Sequence, residues 1–494
     1  MSKRSGSGRD GGALFDLCRR EAGRISSRSF VRRRGAALEL VLRLENYSKL
    51  EGHKGCVNTI SFNGDGGIVI SGSDDKTVKL WDWETGRLNL SFHSGHASNV
   101  FQAQFMPFSD DRSIVTCAAD GQVRHAQVLE RGEVQTVMLS RHEGRAHKLA
   151  IEPGSPHLFY TCGDDGIVQH FDLRTAAARK LFICHARDPS SYIPVVHLNA
   201  ISIDPRNPNL LAVAGSDEYA RVYDIRRYER DCSSGLGQPI GYFCPPHLIG
   251  NDIVGITGLS ISDQSELLVS YNDESIYLFT KDMGLGSEHV PSFQLSLGDD
   301  DVPMNIDLPI SIASASKMDT DEKHTPQRYT GHRNCETMKG VNFFGPNCEY
   351  VVSGSDCGHF FIWEKRSGEL IRVIEADSNV VNCIESHPHT MVLASSGIDN
   401  DIKIWTPKAT EKATLPVKIC SRPKARGWIH PLASSSSDLW TQLISMRETS
   451  RRSAVEHSSS NNAVLARELF DLLLTFEVTS DGSDNGRDTG NSAN

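Results

Sequence analysis

The 494-residue sequence lacks the marks of secreted and membrane-spanning proteins. Its twelve cysteines are scattered, with no CxxC pair and no Cys/His cluster at zinc spacing, and no secretory signal is recognisable. We therefore expect reduced thiols, packed in the strands of an intracellular protein. No apolar run is long enough to span a membrane, so we also expect the protein to be soluble.

Signatures of catalysis are missing as well. The sequence contains no phosphate-binding loop, no nucleophile elbow and no paired histidines at metal-ligand spacing. His387 and His389 flank Pro388, but two ligands without a third are weak support for a metal site. The sequence therefore predicts a protein that is not an enzyme and has no metal and no cofactor. A metal-dependent enzyme is a third alternative, which bound metal would reveal.

Charge is distributed unevenly along the chain. Residues 1–34 carry ten Lys or Arg against three Asp or Glu, a net charge of +7, whereas the whole chain has a net charge of −10, which leaves −17 for the rest. Without a cationic field, the body is not expected to bind nucleic acid. The basic N-terminus is either a solvated tail or a partner-binding or nuclear-import segment. We expect the protein in the nucleus and the cytoplasm.

A repeat does run through the chain. Asp stands six positions before an aromatic residue in five pairs: Asp75 and Trp81, Asp165 and Phe171, Asp217 and Tyr223, Asp273 and Phe279, and Asp399 and Trp405. Asp120 keeps this spacing before Ala126, and near Trp363 the carboxylate is displaced to Asp356, with Cys357 in the expected place. The seven closing positions are 45, 45, 52, 56, 84 and 42 residues apart. Repeats of roughly 40–45 residues are typical of four-stranded propeller blades.

The first unit, residues 50–83, contains a Gly-His opening, two runs of alternating apolar residues and a Trp-Asp close, and it resembles a unit of the WD-repeat β-propeller family. The resemblance implies an all-β, seven-bladed propeller. It also implies that His53, Ser73, Asp75 and Trp81 form a hydrogen-bonded tetrad. Leaving one member of such a buried network unpaired costs roughly 1–3 kcal/mol.

The repeats predict three regions of the chain. Within the 84-residue gap, residues 281–328 contain no Gly-His, no strand pair and no closing aromatic residue, so they indicate a loop rather than an eighth blade. Residues 37–50 are expected to supply the outer strand that completes the last blade, because an open sheet edge invites aggregation. The predicted regions are a basic, partly disordered extension over 1–36 with a helix over Ala13–Glu21, a propeller over 37–407 with an acidic loop over 281–328, and a mostly disordered tail over 408–494 with a helix near 463–477.

The third and fourth units end in Asp-x-Arg: Asp172 and Arg174, then Asp224 and Arg226. Two successive units with this ending resemble the WDxR motif of substrate receptors of cullin-four RING ubiquitin ligases, although Phe and Tyr replace the Trp. The resemblance implies that these four residues contact the damaged-DNA-binding protein one adaptor. Arginine suits such a contact because its guanidinium presents a fixed fork of donors. Alternatively, the arginines begin solvated turns.

The same family resemblance extends over residues 51–406 and includes the GHRN, SGSDCGH and HPH segments of the sixth and seventh units. It implies a non-catalytic substrate receptor that recruits an unknown target protein to the ligase. In several members of this ligase family, a short helix before the propeller also touches the adaptor. The alternative is a propeller that binds chromatin or histones, or a general interaction scaffold, with no link to a ligase.

Overall fold

The structure is a computed structural model, and it describes residues 11–175, 177–187, 194–229, 238–251, 253–285 and 325–416. The helix predicted near 463–477 and most of the loop predicted over 281–328 lie outside these residues. Among the described residues, no helix combines the length and the apolar character needed to cross a membrane.

Three helices precede the first strand. They are α1 (Gly11–Glu21), α2 (Ser27–Gly35) and α3 (Leu38–Leu42). Helix α1 begins two residues before the predicted one, and α2 contains the basic run that the sequence left unassigned. Ser26 caps α2 by accepting a hydrogen bond from the Ser29 N–H at 3.2 Å. Helix α3 lies in a stretch where only a strand was expected, and it packs on the propeller through the buried side chain of Val41.

Seven four-stranded antiparallel sheets form the rest of the described chain. Blades 1 to 3 consist of β2 (Val57–Phe62), β3 (Ile68–Ser73), β4 (Thr77–Asp82) and β5 (Arg87–His93); β6 (Val100–Phe105), β7 (Ser113–Ala118), β8 (Gln122–Val128) and β9 (Val134–Arg141); and β10 (Ala146–Ile151), β11 (Leu158–Gly163), β12 (Ile167–Asp172) and β13 (Ala177–Ile183). Blades 4 and 5 consist of β14 (Leu198–Ile203), β15 (Leu210–Gly215), β16 (Ala220–Asp224) and β17 (Gly241–Phe243), with α4 (Arg226–Glu229) after β16; and β18 (Ile256–Ile261), β19 (Leu267–Tyr271), β20 (Ile276–Phe279) and β21 (Gln327–Tyr329).

Blade 6 consists of β22 (Val341–Phe344), β23 (Tyr350–Gly354), β24 (His359–Glu364) and β25 (Leu370–Glu375), and blade 7 of β26 (Val381–Ser386), β27 (Leu393–Gly397), β28 (Asp401–Thr406) and β1 (Glu45–Glu51). The first strand of each blade contacts the first strand of the next around the whole ring, including β26 with β2. Strand β1 pairs with β28, with Leu50 opposite Ile402. The N-terminal strand therefore closes the ring, which confirms the predicted seven-bladed architecture.

One boundary differs from the sequence prediction. The predicted loop over 281–328 overlaps β21, the outer strand of blade 5, so the insertion ends before Gln327 and lies between the third and fourth strands of that blade. A single short strand has no alternating apolar pattern by which sequence could detect it.

The ten described cysteines are free thiols, but Cys18, Cys335 and Cys357 are exposed rather than packed in strands.

The closing aromatic residues lie buried on the third strands, between neighbouring sheets: Trp81, Phe171, Tyr223, Phe279, Trp363 and Trp405. In blade 2 the equivalent residue, Ala126, packs in an apolar cluster with Leu80, Phe105 and Ile114. Blade 2 therefore keeps a buried apolar core although its third strand lacks the closing aromatic residue.

Antiparallel pairing assigns every loop to one of two faces. The upper face carries the loops before each first strand and the turns between second and third strands, including those of His53 and Asp75. The lower face carries the loops between first and second strands and between third and fourth strands. Arg174 and Arg226 follow third strands and therefore both lie on the lower face.

Candidate protein-interaction site on the lower face

A buried hydrogen-bond network on the upper side of blade 1 holds strand to turn. His53 Nδ1 bonds Asp75 Oδ2 at 2.9 Å, and His53 Nε2 bonds Ser71 Oγ at 2.8 Å. Trp81 Nε1 donates to the same Ser71 Oγ at 2.9 Å. His53, Asp75 and Trp81 therefore share one network, but its serine is Ser71.

The assignment of Ser73 to this network was wrong. Ser73 lies at the end of β3, where its hydroxyl donates to the Gly55 carbonyl at 3.2 Å and accepts from the Asp75 N–H at 3.3 Å. Alternate residues of a strand point to the same face, so residues 71 and 73 satisfy the same sequence pattern. Only Ser71 lies deep enough in the sheet to reach the ring nitrogens of His53 and Trp81.

The network favours an ionised carboxylate and a neutral imidazole. Burial opposes ionisation of Asp75, but hydrogen bonds from the Thr77 side chain and the Lys54 N–H outweigh it and lower the pKa of Asp75 to about 2. Burial also lowers the pKa of His53, more than its bond to Asp75 raises it. Two blades repeat the arrangement with threonine in place of serine: His96, Thr116 and Asp120 in blade 2, and His142, Thr161 and Asp165 in blade 3.

The lower-face turn after β12 holds Arg174 in a fork against Asp172. Arg174 Nε donates to Asp172 Oδ1 at 2.9 Å and Nη2 donates to Oδ2 at 2.7 Å, while the Arg174 N–H also bonds Oδ1 at 3.0 Å. These bonds, led by that of the side chain, lower the pKa of Asp172 to about 2. The Arg174 side chain is 62 % exposed. The turn therefore presents an oriented cation to solvent.

The turn after β16 repeats this geometry in the next blade. Arg226 Nε and Nη2 donate to the two carboxylate oxygens of Asp224 at 2.9 and 2.6 Å, and the Arg226 side chain is 61 % exposed. Arg226 is also the first residue of α4. Two bidentate Asp–Arg pairs thus lie on the same face of consecutive blades.

Packing between blades 3 and 4 connects these two turns. The Phe182 ring, on the strand that follows Arg174, lies 4.0 Å from the Tyr223 ring and 5.0 Å from the Tyr228 ring. Arg179 donates from the same strand to the Tyr228 carbonyl in α4. The two exposed arginines are therefore presented by one packed unit, which the sequence did not reveal.

Each fork retains unused donors. A guanidinium has five N–H donors, and among the described residues Nη1 of Arg174 and of Arg226 contacts no acceptor. The corresponding carboxylate in blade 1, Asp82, has no arginine two residues further on and bonds Glu84 and Thr85 of its own turn. A partner's carboxylate or carbonyl can therefore bind at blades 3 and 4 without displacing the internal pairs.

A second exposed surface lies on the N-terminal helices. Leu14, Phe15 and Leu17 of α1 are 69 %, 61 % and 39 % exposed. Asp16 on the same helix pairs with Arg34 of α2 at 2.7 Å. The two helices therefore hold each other while an apolar group of side chains faces solvent.

The histidine pair considered as a metal site has other contacts. His387 Nδ1 accepts hydrogen bonds from the His389 and Thr390 N–H groups, both at 3.0 Å, and its ring lies 5.1 Å from that of Phe62. His389 Nε2 bonds the Gly64 carbonyl at 2.9 Å. No group of three or more His, Cys, Asp or Glu side chains suited to a metal ion occurs within the described ranges.

Known proteins are similar in sequence to the repeats and to most of the length of this chain. Residues 44–82, 324–364 and 368–406 match the family described as WD domain, G-beta repeat. The chain is 23 % identical to WD and tetratricopeptide repeats protein 1 of Homo sapiens, over 80 % of this chain and 89 % of that protein. The seven closed sheets and the repeat match together identify the fold as a seven-bladed WD-repeat β-propeller.

Two further relatives are similar over about half of the chain. It is 32 % identical to Protein ALTERED SEED GERMINATION 2 of Arabidopsis thaliana, over 51 % of this chain and 38 % of that protein. It is also 32 % identical to DDB1- and CUL4-associated factor 6 of Homo sapiens, over 54 % of this chain and 31 % of that protein.

Proposed function

We propose that this protein is a non-catalytic substrate receptor of a cullin-four RING ubiquitin ligase and that its lower face docks on the damaged-DNA-binding protein one adaptor. The observation that carries the proposal is the pair of exposed, bidentate Asp–Arg turns on consecutive blades. A relative whose name states association with DDB1 and CUL4 supports it. The GHRN, SGSDCGH and HPH segments of the sixth and seventh units resemble the cullin-four-associated factor eight. The proposal therefore includes a relationship to that receptor in particular.

The geometry of the arginine turns suits protein recognition. Asp172 and Asp224 fix the guanidinium groups before a partner arrives, so little side-chain freedom is lost on binding. Arginine is a frequent hot spot in interfaces because its planar fork pairs with carboxylates or carbonyls at a low hydration cost. Two such anchors on one packed unit give the partner a defined orientation.

The α1 helix supplies a second contact in the proposal. Its exposed Leu14, Phe15 and Leu17 form an apolar group that a groove on the adaptor would cover. The upper face and its loops remain available to select the target protein. The receptor's contribution is then placement, since holding a target beside the ligase raises the effective concentration of its lysines.

The test measures binding of the purified adaptor to the full chain. We expect the Arg174→Ala/Arg226→Ala variant to bind at least tenfold more weakly than wild type, because each lost anchor is worth about 1–3 kcal/mol. The matched control is Arg87→Ala, which removes an exposed arginine near the lower-face turn of blade 1 that lacks the Asp-x-Arg pattern. Equal binding by wild type and the double variant would exclude anchoring by these turns.

A further inference from the structure

One loop of the lower face displays an aromatic side chain from a strained backbone. It joins β6 to β7, and it contains Phe108, whose side chain is 81 % exposed. Phe108, Asp110 and Asp111 have φ angles of 56°, 50° and 58°. Left-handed backbone is unfavourable for residues other than glycine, most clearly for a bulky one such as phenylalanine. The loop therefore holds Phe108 outwards at a conformational cost.

Hydrogen bonds fix this strained conformation. Ser109 Oγ donates to the Met106 carbonyl at 2.6 Å, and the Arg112 N–H donates to the Ser109 carbonyl at 3.0 Å. Asn63 in blade 1 reaches across to Asp111 with a bond of 2.7 Å. Strain that is held in place by surrounding contacts is characteristic of functional sites.

The loop that contains Phe108 packs on the same apolar cluster as the turn of Arg174. Met106, two residues before Phe108, is buried in the same cluster as Phe171, and Leu173 packs against that cluster. Leu173 directly precedes Arg174. The strained loop of blade 2 and the Asp–Arg turn of blade 3 thus rest on one apolar support and face the same side of the ring.

We infer that Phe108 is an apolar anchor for the same partner that Arg174 and Arg226 hold, and that it enters a hydrophobic pocket next to the acceptors for the arginines. This inference rests on the proposed function and adds a residue to it. Interface hot spots are commonly aromatic side chains that fill such pockets close to arginine anchors. A side chain presented without reorganisation avoids part of the entropy cost of binding.

The test compares adaptor binding and thermal unfolding for variants of the full chain. Phe108→Ala should weaken binding by about tenfold or more, chiefly through faster dissociation, whereas Phe108→Leu should retain most of the affinity. Phe108→Gly should bind as weakly as Phe108→Ala without lowering Tm, because glycine adopts the left-handed backbone freely. That result separates loss of the anchor from damage to the loop.

Two controls match the features being removed. Val137→Ala trims another exposed apolar side chain of blade 2, on the outer strand β9, and Lys76→Gly relieves a left-handed residue on the upper face. Both should bind the adaptor like wild type. If Phe108→Ala also does so while the Arg174→Ala/Arg226→Ala variant loses the adaptor, the anchor is excluded and the proposed function stands. If wild type fails to bind the adaptor, both the proposed function and the anchor are overturned.

Discussion

The interior of the propeller and its lower face both pair a cationic side chain with a carboxylate, but in opposite surroundings. In blade 6, Lys339 forms an ion pair with Asp356 in which both side chains are fully buried. In blade 3, Arg174 is mostly exposed although its fork to Asp172 is well formed. Desolvation makes a buried pair expensive to break, while solvent screens an exposed one. Buried pairs are therefore suited to fixing the fold, and exposed pairs to meeting a partner.

The propeller interior also contains buried polar atoms that have no hydrogen-bond partner within the described ranges. His332 packs edge-on to Trp363 with ring centroids 5.7 Å apart, and neither of its buried ring nitrogens has a hydrogen-bond partner among the described residues. Burial, followed by the nearby Lys339, lowers the pKa of His332 to about 4. The position equivalent to His53 in blade 1 thus lacks its carboxylate here, because the displaced Asp356 pairs with Lys339 instead.

Removing one partner of the buried ion pair should have the largest effect on stability. Asp356→Ala leaves Lys339 uncompensated, with only Thr337 as a hydrogen-bond acceptor, and should lower the free energy of unfolding by about 3–5 kcal/mol. Urea denaturation followed by fluorescence gives this value. Replacing both residues, as in Lys339→Met/Asp356→Leu, should recover much of the loss. A fully stable single variant would mean that the pair is not desolvated.

Lowering the pH should have the next largest effect on stability, because it acts on the buried histidines. The unfolded-state pKa of His332 is 6.5 and its folded-state pKa is about 4, so between these values the unfolded chain binds more protons. His387, whose pKa burial and His389 lower to about 4, acts in the same direction. The contribution of neutral His332 to stability is thus fully present above about pH 6.5 and is lost as the pH drops towards 4, a difference of about 3 kcal/mol. Denaturation series at several pH values should give a shallower dependence for His332→Phe; identical slopes would contradict this.

Substitutions of two serines in blade 1 should have smaller effects on the free energy of unfolding, and the two effects should differ. Ser71→Ala leaves His53 and Trp81 nitrogens unpaired inside the sheet and should cost about 1–3 kcal/mol. Ser73→Ala removes only turn contacts and should cost less. Matched urea unfolding of the two variants measures the difference, and an equal or larger loss for Ser73→Ala would restore the original assignment.

Repetition explains which of these features the sequence could predict. The Asp and aromatic positions recur in nearly every blade, so their spacing indicated seven repeat units, and the resemblance to WD-repeat proteins implied one blade for each unit. Ser71 and Ser73 lie two apart on one strand face, where spacing cannot distinguish them. Two contacts do not follow the repeat: the ion pair of Lys339 with Asp356, and the bond from Arg179 to the Tyr228 carbonyl. Because neither belongs to a recurring sequence pattern, only the three-dimensional structure reveals them. Helix α2 was missed because its arginines resemble a solvated tail.

The exposed turns should show the smallest effect on stability. Because, within the part of the chain that the structure describes, Arg174 and Arg226 make side-chain bonds only to carboxylates two residues away, Arg174→Ala/Arg226→Ala should leave the urea midpoint and Tm unchanged within measurement error. Asp172→Asn/Asp224→Asn should likewise keep the fold but release the forks, and adaptor binding should weaken less than on loss of the arginines themselves. A marked drop in Tm for the arginine variant would assign these turns to the fold, because groups reserved for a partner contribute little before the partner arrives.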